Sequence, residues 1–557
     1  MSNPGVLGIH AGEDVKSQQS GRDWAPVLRW VFFLGGLGSS WYSMASGDMP
    51  FTMWLGLTGI ILAGGLGLNL AIVGAGLGLF FLRYALFLAP LLMQFQQPWW
   101  VTGPLVLGFT LWESAPLWVA GAVGVWALRR RSVPTWAVFV LVAGIHLSLV
   151  GWLPRPYYFS WGASLLSRFP SGVWMFGVDL FAAITLGWIC VVARTITQGH
   201  RTLERTITVA AAPFAVLAVC LLVHQQWESK CESAAKDTHS VITVQGAMPP
   251  FSGGFAVTSD RLLTPVVVYS SLRPDFLLFP ECIAQVAGRL DGMDEKATAM
   301  RHVTAVTTSI AAPYSQVAFG VRDWNTNRTY FTDIVNGKPD VLWKDEEFRT
   351  PFVDQWPVKM TPLVARFGFH SEEQIMAPKR TASMGLFCAD KDSPNGLKEI
   401  SRGVVLMSGE IRRPAIVGRI RAEWTAKVLI NPSIAGWLGG RELQGSILQA
   451  NARAMELGMT LYRAGQLGGT GIYVPWQDVS MDDIVQSYGP GIGRYRARIP
   501  QGPRFATGYT SIFWAGVNFA PFAVLLTLAW LLIPEGIRSK ARLPLAGPVP
   551  AGEPSHA

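Results

Sequence analysis

The sequence predicts a polytopic bundle of membrane-crossing α-helices, about eight spans, that carries one α/β domain outside the bilayer. Three observations predict it. Charged residues are only 15% of the chain against 50% hydrophobic, where soluble proteins carry roughly 25% charge. The scarcity is uneven: 24–223 holds long uncharged runs, 228–504 has the composition of a water-soluble domain, and 505–534 is apolar again. Within the soluble-type stretch, strand and helix patterns alternate, as they do in α/β domains. At 557 residues the chain also exceeds one ordinary domain.

A bilayer core needs about 20 apolar residues per helix. Eight segments approach that length: 24–44, 51–68, 70–93, 101–128, 134–153, 171–193, 207–223 and 513–533. The second and third form one run, broken near Asn69 and carrying Arg83. Loop charges give the topology, because cytoplasmic loops accumulate Lys and Arg. Arg129, Arg130 and Arg131, then Arg194, Arg201 and Arg205, then Arg538, Lys540 and Arg542 share one side with Lys16 and Arg22 of the N-terminal tail. Aromatic linkers, "QPWW" and "PRPYYFSW", fall on the other side, at the interface that suits them. The expected organisation is a cytoplasmic tail (1–23), a seven-helix membrane domain (24–225), an extracytoplasmic domain (226–510), a final transmembrane helix (511–534) and a disordered cytoplasmic tail (535–557). The first apolar segment follows about two dozen polar residues and reads as an uncleaved anchor rather than a signal peptide.

Several function classes recede on composition. The net charge of +9 is spread over short loops, so no basic patch for nucleic acid is expected. Five cysteines without CxxC or zinc spacing predict neither a disulfide scaffold nor a metal site, and no cofactor is expected. "GAGLG" at 74–78 lies inside an apolar helix without a preceding soluble strand, so close helix packing is expected there, not a nucleotide. Glu113, His146 and Asp179 are ionisable groups inside predicted spans. Such groups mark either function or interhelical hydrogen bonds.

In the soluble stretch, "HSVITVQG", "DFLLFPE", "QVAFGV", "KVLINPS" and "MTLYRAG" read as buried strands, and "LQGSILQANARAMELG" as an amphipathic helix. Glu281 ends one strand, Lys344 lies in "LWKDEEFRTPFVDQWP", and Cys388 ends the apolar run "GLFC". A thiol, a carboxylate and an ammonium suit acyl transfer, with the carboxylate as base, the thiolate as nucleophile and the lysine on the oxyanion. Taken singly, each has an ordinary reading: a core cysteine, a solvated boundary acid, a surface lysine.

The ordered motifs of this stretch resemble the apolipoprotein N-acyltransferase family, the membrane-bound branch of the nitrilase (carbon–nitrogen hydrolase) superfamily. "ITVQGAMPP" looks like its opening strand and "LLFPECIA" like the strand ending in Pro-Glu. "WKDEEFRTPFVDQWP" resembles its lysine and Pro-Phe-Gly-Glu segment, and "GLFCADKD" its nucleophile strand, usually Ile-Cys-Tyr-Glu. "LINPSIAGWLGG" and "QANARAMELGMTLYRAGQLGGTGIY" look like the later strand, helix and strand. The resemblance implies a nitrilase-like αββα sandwich on the outer face of a bacterial inner (cytoplasmic) membrane. Its triad would be Glu281, Lys344 and Cys388, with Asp354 and Asp390 as substrate-binding or supporting acids. It implies transfer of an acyl chain from a phospholipid donor, through a cysteine thioester, to the N-terminal amine of a lipoprotein or another amine acceptor. The sequence departs from the pattern: Lys344 lies two residues upstream of the usual spacing, Ala389-Asp390 replaces Tyr-Glu, and a Lys-Trp after the first strand is missing. These departures suit a diverged conjugal-transfer relative of the TraB type, acting on an amide or another acceptor. A non-catalytic membrane assembly component is the remaining expectation.

Overall fold

In a computed structural model, the protein is described at residues 24–46, 49–85, 98–130, 132–153, 155, 178–197, 235–246, 271–281, 284–285, 315–322, 327–335, 338–345, 382–394, 396–413, 425–434, 440–466, 469–476, 491–501 and 506–534, with short pieces at 218–234 and 268–269. The membrane-type helices are α1 (Ala25–Ser46), α2 (Met49–Gly65), α3 (Leu70–Ala85), α4 (Trp99–Glu113), α5 (Ala115–Arg129), α6 (Thr135–Trp152), α7 (Val178–Thr197) and α9 (Ala506–Leu532); α8 (Gly440–Leu457) belongs to the soluble domain. Among the described residues, three stretches are long and apolar enough to cross a membrane: Thr135–Trp152, Asp179–Thr197 and Ala515–Leu532. The apolar parts of the first three helices are shorter than that, and the expected span at 207–223 falls almost wholly outside the described residues.

The span expected at 101–128 is instead two helices meeting at 68°. Its apolar composition hid the cause. Pro116 lacks the N–H that would continue the ladder. Thr110 and Ser114 hydroxyls donate to the carbonyls of Val106 and Thr110, at 2.8 and 2.6 Å, which bends a helix further. Between α2 and α3 the chain breaks at 66–69, where Gly67 takes φ 97° and the Asn69 side chain caps α3 through Ala71 N–H at 2.8 Å.

Small residues let these helices touch. A methyl on Gly36 would come within 2.6 Å of the Gly56 carbonyl, and one on Gly59 within 2.7 Å of the Phe32 carbonyl, so α1 and α2 cross backbone to backbone. A methyl on Gly76 would collide with the Phe33 ring, so the "GAGLG" glycine packs against α1. At one end of the bundle Arg194 donates to the carbonyls of Ala127 and Arg130 at 3.3 and 3.4 Å, closing the C-terminus of α5 and placing two of the basic clusters together.

The soluble domain is two sheets face to face. The first runs β12 (Gly491–Ile499), β1 (Lys236–Gln245), β2 (Phe276–Leu278), β4 (Gln316–Arg322), β5 (Asn327–Val335), β6 (Lys338–Asp345), with β3 (Ala284–Gln285) beside β4. The second runs β11 (Gly471–Tyr473), β10 (Thr460–Gln466), β9 (Ala426–Ile434), β8 (Leu397–Val405), β7 (Ala382–Ala389). Every strand expected from the sequence is present, and α8 is the expected amphipathic helix. Period-two alternation builds two layers. Val405, Val428, Ile430, Tyr462 and Ala464 face Val241, Phe276, Leu278 and Ala318 of the first sheet. Val404, Leu429 and Leu461, on the other face, join Ile447, Ala450 and Ala454 of α8 in a cluster continuous with the membrane helices.

Candidate active site

Strand direction decides which side chains can meet. β1, β2 and β4 are parallel, and β6 runs with them because it is antiparallel to β5, which is antiparallel to β4. Glu281, just after β2, and Lys344, at the end of β6, therefore leave the first sheet at the same edge. In the second sheet β8, β9 and β10 are parallel, and their exits lie at that edge too. Two contacts fix this. Lys344 Nζ donates to Glu410 Oε2 in the turn after β8, and Gln466 Nε2, ending β10, donates to the Glu281 carbonyl at 3.3 Å. A Cβ on Gly246 would overlap the Gln466 side chain, so the glycine of "VQG" makes room for that bond.

The turn itself is Ser408–Arg412, a single 3₁₀ turn. Ser408 stands at φ 39°, in the left-handed region that a serine seldom occupies. Glu410 is fully buried and accepts from Met407 N–H at 2.9 Å as well as from Lys344, which is 4% exposed. Asn431 Nδ2 donates to the carbonyls of Leu406 and Ser408 at 2.7 and 3.3 Å, holding the turn to β9. Arg463 in turn donates to Asn431 Oδ1 at 3.1 Å and to Ser433 Oγ at 3.2 Å. Burial pulls the Arg463 guanidinium below the usual arginine range, while Tyr473 and the Glu281 carboxylate oppose that. Glu281, Arg463, Asn431, Glu410 and Lys344 thus form one connected set around the turn that carries the partly buried Ser408.

Cys388 is not brought to this set. It ends β7, opposite Lys398 at the start of β8. The length of β8, at about 3.3 Å per residue, separates it from Ser408 by on the order of 20 Å. Its neighbours are Asp275, which precedes β2, and Asp390; burial first, then these two acids, push its thiol up, away from a nucleophilic thiolate. The edge around it is a clasp between the sheets. The pairing with β8 shifts register at Leu386/Phe387, where Ile400 is skipped and Phe387 pairs with Glu399. Gln316 Oε1 then accepts from Phe387 N–H at 2.9 Å, and His239 Nε2 donates to the Phe387 carbonyl at 3.3 Å. The other ring nitrogen, Nδ1, accepts from the buried Tyr462 hydroxyl at 3.0 Å. His239 is held at a pKa of about 4 by burial, hence neutral. Asp390 lies in the β7–β8 turn beside Cys388, its side chain accepting from Asp392 N–H at 3.1 Å. Asp354 lies outside the described residues.

Ser408, Glu410, Asn431 and Arg463 were missed in the sequence. A signal was present: "SGE" at 408–410 keeps the carboxylate two residues after the position that Cys-Tyr-Glu gives the nucleophile, and does so one strand later than "CAD". The ionisable groups noted in the apolar helices have partners. Glu113 pairs with Arg155 at 3.3 Å and His146 Nδ1 donates to the Pro116 carbonyl at 3.1 Å. Asp179, on α7, accepts from Arg453 of α8 at 3.3 Å; the same guanidinium reaches Glu456 and, at 3.1 Å, the carbonyl of Arg412. One arginine therefore ties a membrane helix to the turn that carries Ser408.

The sequence matches no protein-family profile and no curated protein. Among solved structures it is similar to amidases of the nitrilase superfamily from Nesterenkonia. One, described as an amidase from Nesterenkonia sp., is 14% identical at a TM-score of 0.32, with 50% of this chain and 94% of that chain covered. A cysteine-to-serine mutant of the Nesterenkonia AN1 amidase is 15% identical at a TM-score of 0.31, covering 49% and 94%. A third carries the acetamide moiety of fluoroacetamide added covalently at its active-site cysteine, at 14% identity, a TM-score of 0.31 and coverage of 50% and 94%. At such values the likeness carries nothing about chemistry, which rests on the geometry.

Proposed function

We propose that the chain is a membrane-embedded acyl-transfer enzyme of nitrilase type, working at the Glu281–Lys344–Ser408 edge. The observation that carries this is the buried Lys344–Glu410 pair set against the left-handed Ser408 turn. Ser408 Oγ attacks an acyl carbonyl. Its proton passes to Glu281, and the Lys344 ammonium faces the developing oxyanion, an arrangement that preorganised charge makes effective. The ester C–O bond of the donor breaks, and the departing alkoxide takes the proton from Glu281. An amine then attacks the seryl ester, its proton returns through Glu281 to Ser408, and an amide leaves. Glu410 holds the lysine, and Asn431 and Arg463 hold the turn and the base.

The substrates proposed are a membrane phospholipid as donor and an amine, such as a lipoprotein N-terminus, as acceptor, with the domain on the periplasmic face of a bacterial inner membrane. The layer of α8 packed on the apolar helices supports this reading, because it holds the domain against helices of membrane-crossing composition. Full-length protein incubated with acyl-labelled phospholipid and a diacylated lipopeptide should yield labelled triacylated peptide, and Glu281→Gln should lose about 10²- to 10⁴-fold. Ammonia released from small amides, without lipid turnover, would favour the diverged amidase branch. Absence of any turnover would favour a second reading, a domain that binds an acyl or amide group without transferring it. Ser408 itself favours that reading, since an alcohol is a weaker nucleophile than a thiol.

A further inference from the structure

A second site lies at the opposite end of the bundle. Arg29, Trp30, Gly67, Asn69, Leu70 and Arg129 line a cavity of about 600 Å³. Its two guanidiniums come from different helices, α1 and α5, and converge on the N-terminus of α3. Arg129 spends its Nε on the Gly64 carbonyl at 3.0 Å. Its Nη2 and the Nε of Arg29 are buried without a hydrogen-bond partner among the described residues. Buried donors of this kind cost free energy until an acceptor arrives. Arg194, on the neighbouring helix, turns its Nη1 and Nη2 to the α5 C-terminal carbonyls. The exposed N–H groups and positive end of α3 add to the attraction for an anion. Trp30 is half exposed at the same level, where an indole sits between acyl chains and headgroups.

We infer that this cavity binds the phosphate of an anionic phospholipid in the leaflet at the Arg29–Arg129 end of the helices. Depth favours a lipid over a free anion. The cavity opens between apolar helices at their ends, where α6 starts its crossing, so acyl chains can follow Leu70 and Ile72 while the phosphate meets the two arginines. Basic pockets between membrane helices are suited to such headgroups.

The test uses delipidated full-length protein in detergent and dioleoyl phosphatidylglycerol, dioleoyl phosphatidylcholine and inorganic phosphate as probes, read by native mass spectrometry. Phosphatidylglycerol should bind at least tenfold tighter than phosphatidylcholine, and millimolar phosphate should not displace it. The double variant Arg29→Gln/Arg129→Gln should lose the preference, whereas Arg130→Gln, whose guanidinium lies 5.4 Å over the Trp126 ring, should keep it. Should the double variant not fold, a photo-crosslinking phosphatidylglycerol on the unaltered protein decides: label should map to the peptides holding Trp30 and Leu70. Equal binding of both lipids, full displacement by phosphate, or label elsewhere would overturn the inference.

Discussion

Ser408 shows what a single residue contributes at this edge. Its φ of 39° costs a non-glycine residue about 1–3 kcal/mol, and glycine would not pay it. Ser408→Gly should therefore keep or raise the melting temperature while removing acyl transfer; a clear fall in melting temperature would mean that the hydroxyl is structural. Lys344 behaves oppositely. Removing it leaves Glu410 buried with an uncompensated charge, so Lys344→Ala should destabilise by about 3–5 kcal/mol, and Lys344→Met/Glu410→Gln should recover part of that. His239 sets a pH dependence. Its folded pKa, about 4, lies below the unfolded value of 6.5, so the unfolded chain binds the extra proton between those values. Stability then rises with pH from about 4 to 6.5 and is flat above, a change on the order of 3 kcal/mol. His239→Asn should flatten that part of the melting profile.

At the scale of elements, much was legible and the reasons differ by element. The strands around Val241, Phe276, Val317, Val428 and Leu461 were readable because buried β-strands are short apolar runs with turn residues at their ends. The Glu281 position was readable as a strand end, whereas Lys344 was readable only as part of the segment before Pro351-Phe352 and is placed at this edge by β6. Cys388 and Ser408 were not distinguishable in this way. Both follow apolar runs, and only the antiparallel pairing of β7 with β8 sends one to each edge. That pairing, like the Lys344–Glu410 bond across 66 residues, is a non-local fact. The bend at Ser114 was written in Pro116, yet the apolar run over 101–128 concealed it. Asp179 read as either a functional group or an interhelical hydrogen bond, and its partner Arg453 is 274 residues away. That bond makes a prediction for α7 and α8. Asp179→Asn should weaken the hold on the Arg412 carbonyl and loosen the Ser408 turn, lowering kcat with little change in KM, whereas a purely structural role would lower melting temperature alone.

For the whole molecule, one topology sets the two proposed sites at opposite ends. Parallel strand exits gather carboxylate, ammonium and hydroxyl at one edge of a two-sheet sandwich, and α8 seats that sandwich on the membrane helices through the Arg453–Asp179 pair. The other end of the bundle brings Arg29 and Arg129 to one cavity. The central claim is that acyl chemistry occurs at Ser408 and not at Cys388. The most direct measurement is peptide mapping by mass spectrometry after brief exposure of full-length protein to an activated acyl ester, in the wild type and in Ser408→Ala, Glu281→Gln and Cys388→Ala. An acyl group on the Ser408 peptide, absent in the first two variants and retained in the third, is the predicted result; an acyl group on Cys388 that survives Ser408→Ala would contradict it.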